Sequence, residues 1–128
     1  MRSIIPSSGD SPDRPYSMVI KSSGNYVFVS GQVSMDLDSY ETRPGSLEEQ
    51  TRLTFENLKT HLGAAGASLS DVVNCRVYLS DLSAENFATM NQVYMEYFPS
   101  DRPTRTTIGC QLISGFDVEI DCVACLPS

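Results

Sequence analysis

The chain has 128 residues, with 9 Lys and Arg against 16 Asp and Glu, so its formal net charge is −7. A single domain of this size buries roughly two-thirds of the surface its unfolded chain exposes, which supports a core without disulfides or a structural metal. With 41% hydrophobic and 20% charged residues it is not a solvated low-complexity polymer, no stretch approaches the ~20 apolar residues of a membrane span, and the acid excess opposes a phosphate backbone as partner.

The first fifteen residues carry Pro6, Pro12 and Pro15, the acids Asp10 and Asp13, and only Ile4 and Ile5 as an apolar pair. That is neither a secretory h-region nor a transit peptide, and a cytoplasmic protein is expected. Tyr16 to Lys21 and Tyr26 to Val33 are β-rich runs separated by Ser22-Ser23-Gly24-Asn25, a turn composition that predicts an antiparallel hairpin. Ser46 and Glu49 have capping-box spacing and should open a helix, whose stripe of Leu47, Thr51, Phe55, Leu58 and Leu62 runs to about Gly63 or Gly66.

Val72 to Leu79 alternates as a strand, with Val73, Cys75, Val77 and Leu79 on one face. A second helix is expected from about Ser83 to Phe98, since Phe87, Met90, Asn91, Tyr94 and Phe98 share a side and Pro99 stops continuation. Thr104 to Leu112 and Asp117 to Cys125 flank Ile113 to Phe116 and predict a terminal hairpin. The order is β-β-α-β-α-β-β, with room for a short strand around 35–40. Residues 1–128 thus form one α+β domain: a mixed sheet with two helices on one face. The second face has no layer to cover it, which predicts a homo-oligomer.

Cys122-Val-Ala-Cys125 has metal-site spacing, but residues three apart on a strand point to opposite faces, and His61 is the sole imidazole. Small buried thiols are expected and a metal site is not. There is no phosphate-binding glycine loop and no nucleophile elbow. Two charges within strands remain, Arg105 and Glu119. Spacing alone permits a self-neutralising cross-strand ion pair, or a guanidinium for a substrate carboxylate beside an acid that activates water.

Pro15-Tyr16, Val29-Ser-Gly-Gln32, Phe87-Ala-Thr-Met-Asn91 with Tyr94 and Phe98, Arg102-Pro-Thr-Arg-Thr106, and Val118-Glu-Ile120 with Ala124 together resemble the RidA/YjgF family of enamine and imine deaminases. The resemblance implies a chorismate-mutase-like fold, a homotrimer with a barrel-like centre, and a ligand pocket at each subunit interface. It implies that Arg105 pairs with the substrate carboxylate and Glu119 holds the hydrolytic water, with Tyr16, Gly31, Phe87 and Asn91 lining or supporting the pocket. Thr107 stands where many members have cysteine: it can substitute if that position acts through its backbone groups, and activity would be lost or changed if a thiolate were needed. The implied reaction is hydrolysis of 2-imino acids, formed from enamines such as 2-aminoacrylate, to 2-keto acids and ammonia without metal or organic cofactor. The alternatives are a non-catalytic 2-keto acid sensor and the holdase or endoribonuclease roles of some relatives.

Overall fold

A computed structural model describes residues 2–128. Its strands are β1 (Arg2–Ile4), β2 (Ile20–Ser22), β3 (Asn25–Gln32), β4 (Val72–Leu79), β5 (Thr104–Gly109) and β6 (Val118–Leu126), with helices α1 (Leu47–Ala64) and α2 (Ala84–Tyr97). The main sheet has the order β3-β6-β4-β5, and β1 pairs with β2 in a separate two-stranded sheet. Within the main sheet β6 runs antiparallel to β3 and β4, while β5 lies parallel to β4.

The helices form where their end signals lie. Ser46 Oγ accepts from Glu49 N at 3.1 Å and Glu49 Oε1 accepts from Ser46 N at 3.0 Å, so the capping box is closed. Ser83 caps α2 in the same way, accepting from Asn86 N at 3.1 Å. Phe55, Leu58 and Leu62 of α1 and Met90, Val93 and Tyr94 of α2 pack on Cys75, Val77, Ile120 and Cys122 of the sheet. Phe55 anchors this layer, its ring stacked on Tyr97 at 4.6 Å and edge-on to Tyr94 and Phe98 at 5.7 Å each. The other side of the sheet carries Phe28, 77% exposed, and Ile108, 43% exposed.

Both predicted hairpins are absent. β2 pairs with β1 and β3 pairs with β6, so the turn at 22–25 joins two different sheets. Residues 16–19 are not strand: Ser17 N donates to Pro103 O and Ile5 N to Val19 O, which draws this segment toward the start of β5 and the N-terminus. At the other end β4 separates β5 from β6, because α2 crosses over and returns the chain parallel to β4. Around 35–40 there is only an isolated bridge between Met35 and Thr42.

Among the described residues the four cysteines form no disulfide, and Cys75, Cys122 and Cys125 are buried. Among the described residues no three His, Cys, Asp or Glu side chains group to hold a metal ion. No helix of these residues is long and apolar enough to cross a membrane.

Candidate functional site

The sheet register decides what Arg105 and Glu119 face. Arg105 lies opposite Cys75, which lies opposite Cys122, and both thiols sit beneath the helices. Directly opposed residues share a face, so Arg105 rises on the helical side. Glu119 is opposed by Tyr78, and Tyr78 by Ile108, which places Glu119 on the uncovered side. Two strand spacings across and three residues along separate their Cα atoms by roughly 14 Å, with the backbone of the sheet between them. The expected neighbours are therefore not neighbours within one chain, and among the described residues no ion pair joins them.

Around Arg105 the chain builds an aromatic cage. Its Cζ stands 4.7 Å from the ring centroid of Tyr94, 5.3 Å from Tyr16 and 5.6 Å from Phe87, and its Nη1 lies 3.8 Å from Met90 Sδ. Phe87, Met90 and Tyr94 recur on the side of α2 that faces β5, while Tyr16 comes from the N-terminal segment. Burial lowers the Arg105 pKa from its usual value, an effect opposed by Tyr94, Tyr16 and Cys75. The same burial raises Tyr94 well above the usual phenol value and pushes the Cys75 thiol up, so both stay neutral. Rings of this kind stabilise a cation by about 0.5–2 kcal/mol each at most, and none cancels its charge. No described carboxylate pairs with Arg105.

Two further predicted residues belong to this half. Thr107 shares the helical face of β5 with Arg105 by strand alternation, and Asn91 lies one helical turn after Phe87 on α2. Asn91 Oδ1, Thr107 Oγ1 and Arg105 Nε are all buried without a hydrogen-bond partner. Tyr94 Oη beside Arg105 is a fourth such atom, and buried orphan polar atoms are rare in folded chains.

Gly31 and Glu119 form the other half. The Glu119 carboxylate lies over Gly31 so closely that an added Cβ there would stand 2.9 Å from its Cδ and 3.1 Å from its Cγ. Gly31 is needed for this approach, not for an unusual φ. A groove of about 410 Å³ runs along β3, lined by Val27, Phe28, Val29, Ser30 and Gln32 and by His61 and Ala64 at the end of α1. The structure thus brings Tyr16, Phe87, Asn91, Arg105 and Thr107 to one face and Gly31 with Glu119 to the other. Sequence reasoning put Met90 and Tyr94 on the shared side of α2 and in the resemblance motif but gave them no place in the pocket. Their spacing with Phe87 on one side of α2 was the available signal for their contact with Arg105.

Comparison with known proteins covers most of the chain. The family model described as Endoribonuclease L-PSP matches residues 9–126. A RutC family protein of Pyrococcus abyssi is 47% identical over 97 residues, covering 76% of this chain and 74% of its own. A 2-iminobutanoate/2-iminopropanoate deaminase of Dermatophagoides farinae is 33% identical over 113 residues, covering 88% of this chain and 86% of its own. Among solved structures, YyfB of the conserved Rid protein family from Yersinia pestis matches with a TM-score of 0.86 at 31% identity, covering 98% of each chain.

Proposed function

Because the chain belongs to the Endoribonuclease L-PSP family, also called RidA/YjgF, we propose that it is a cytoplasmic enamine/imine deaminase acting on small 2-imino acids at an interface between copies of itself. The observation that carries this is Arg105: a half-buried guanidinium caged by three aromatic rings, with no described carboxylate to neutralise it. Such a cation is poised for an anion small enough to enter the cage, and a planar carboxylate matches its fork. The named deaminase relative supports the chemistry.

One copy presents its cage beside edge strand β5, and its Gly31 and Glu119 lie near the opposite edge, β3. Placing β5 of one copy against β3 of the next supplies both halves to one ligand, and three repeats of that contact close a ring. The uncovered sheet face and the β3 groove would be buried by the same contact. In the joint site Arg105 binds the carboxylate of the imino acid and turns its C=N carbon toward a water held by Glu119 of the neighbouring copy. As the water oxygen bonds to that carbon, Glu119 accepts a water proton and the C=N π electrons pass to nitrogen. Glu119 returns that proton to nitrogen to give the carbinolamine, then takes the hydroxyl proton and passes it to the same nitrogen, so that ammonia departs as the C=O bond forms. Imines already hydrolyse quickly in water, so orientation and proton relay by Glu119, the latter contributing on the order of 10² to 10⁴ in rate, are sufficient help. No metal or organic cofactor enters these steps.

The test is hydrolysis of 2-aminoacrylate generated in situ, followed as pyruvate formation with wild type and Arg105→Ala. Acceleration by wild type that Arg105→Ala abolishes supports the proposal. Binding of a 2-keto acid without acceleration would make the chain a sensor, and cleavage of an added RNA would move it to the activity in the family's description.

A further inference from the structure

We propose that Arg102 is a positioning residue that fastens the N-terminal segment so that Tyr16 closes the cage around Arg105, a role that rests on Arg105 being the carboxylate anchor. A surface arginine three residues from the anchor would ordinarily be counted as a solvated charge. Here four of its donors are spent on main-chain carbonyls instead. Nε donates to Phe98 O at 2.8 Å and Nη2 to Pro99 O at 3.1 Å, at the C-terminal end of α2. Nη1 donates to Pro12 O and Arg14 O, each at 2.8 Å. No described carboxylate pairs with it.

The geometry explains why a guanidinium is used. Carbonyls at a helix C-terminus lack intrahelical donors and carry the negative end of the helix dipole, which favours a cation. The segment it reaches contains Pro12 and Pro15, which have no N–H to offer a strand. That segment is fastened at Pro12 and Arg14 by Arg102 and at Ser17, whose N donates to Pro103 O at 3.0 Å. Tyr16 lies between the last two points, with its ring 5.3 Å from Arg105 Cζ. Releasing the Arg102 contacts frees the chain that carries this wall while leaving Phe87 and Tyr94 on α2 in place. An ammonium has three donors on one atom and cannot span carbonyls from two segments as a planar fork does, so lysine should not substitute.

The deciding experiment measures 2-oxobutanoate binding by calorimetry in wild type, Arg102→Met, Arg102→Lys, Tyr16→Leu and the double variant Arg102→Met with Tyr16→Leu. It also records the Arg105 Nε–H resonance by NMR without ligand. Arg102→Met and Tyr16→Leu should each weaken binding roughly tenfold, the loss of one desolvated cation–ring contact. Arg102→Lys should give no rescue, and the double variant should bind about as weakly as either single one, because both changes remove the same wall. In the ligand-free spectrum the ring-shifted Arg105 resonance should move alike in Arg102→Met and Tyr16→Leu. Wild-type affinity in Arg102→Met, or losses that multiply in the double variant, overturns the proposal. So does an unmoved Arg105 resonance in Arg102→Met. If wild type binds no 2-oxobutanoate, the carboxylate-anchor role of Arg105 fails, and the NMR comparison alone still decides whether Arg102 places Tyr16. Should Arg102→Met not fold, Arg102→Lys carries both comparisons.

Discussion

Replacing Gly31 by alanine perturbs Glu119 with little effect on the fold. Gly31 does not have a positive φ, so alanine adopts its backbone conformation without strain. Gly→Ala at a compatible position gains about 0.4–1 kcal/mol by restricting the unfolded chain. The added Cβ, however, would stand 2.9 Å from Glu119 Cδ and 3.1 Å from Cγ, where carbon atoms prefer about 3.5–4.0 Å. The carboxylate is the end of a flexible side chain and gives way, moving by roughly 1 Å. Misplacement on that scale can cost about 10² in rate. The expected outcome is a kcat near 1% of wild type in the coupled deaminase assay, with a far smaller change in KM because Arg105 still holds the carboxylate. The melting temperature should stay within roughly 5 °C, the equivalent of about 1 kcal/mol in a domain of this size. A Gly31→Ala protein with wild-type kcat, alongside an inactive Glu119→Gln, would refute the link between this close approach and catalysis.

Arg105→Met should weaken 2-keto acid binding by roughly 10- to 100-fold, the worth of charge-assisted hydrogen bonds, yet leave the melting temperature equal or higher because an unneutralised, partly desolvated cation is removed; calorimetry and thermal denaturation measure the two effects. The affinity of wild type for 2-oxobutanoate should be flat from pH 6 to 9. Burial lowers the Arg105 pKa but an arginine remains protonated there, while Tyr94 and Cys75 are raised and remain neutral. With a folded value below the unfolded one, Arg105 adds stability only as pH rises past the folded value, above this window. A slope in titrations at several pH values would show that another group governs binding. Phe55→Ala should cost about 3–5 kcal/mol in denaturant unfolding, since the ring is fully buried among Tyr94, Tyr97 and Phe98.

Helices and strands differ in how far local residues specify them. α1 starts at Leu47 and α2 at Ala84 because Ser46 and Ser83 satisfy main-chain donors that would otherwise be orphaned, and these are interactions over three residues. β4 runs from Val72 to Leu79 as the alternation indicates. Which strands lie side by side is set at long range. The Ser22–Asn25 turn has hairpin composition, but β6 binds β3 more extensively than β2 could, pairing from Asn25 to Gln32 with a bulge after Val29. β5 and β6 are consecutive strands, yet α2 between β4 and β5 is long enough to return the chain parallel, which places β4 between the last two strands.

The same limit governs the site. Alternation along β5 groups Arg105 with Thr107, and along β6 it separates Glu119 from Cys122, but no alternation within a strand says which residues of two strands share a face. That relation passes through β4, by way of Cys75 for Arg105 and Tyr78 for Glu119. A direct hairpin could have brought the two charges into contact and let them neutralise each other. The inserted strand keeps them apart, leaving the guanidinium without a described acidic partner and the carboxylate over Gly31 without a described basic one. Under the proposed function, an isolated copy would grip the anion through Arg105 but lack the neighbour's Glu119 to direct water. Disrupting association should abolish hydrolysis while sparing much of the Arg105-dependent binding. Full turnover by a copy shown by sedimentation to be monomeric would mean that Glu119 is not the group that meets the imine.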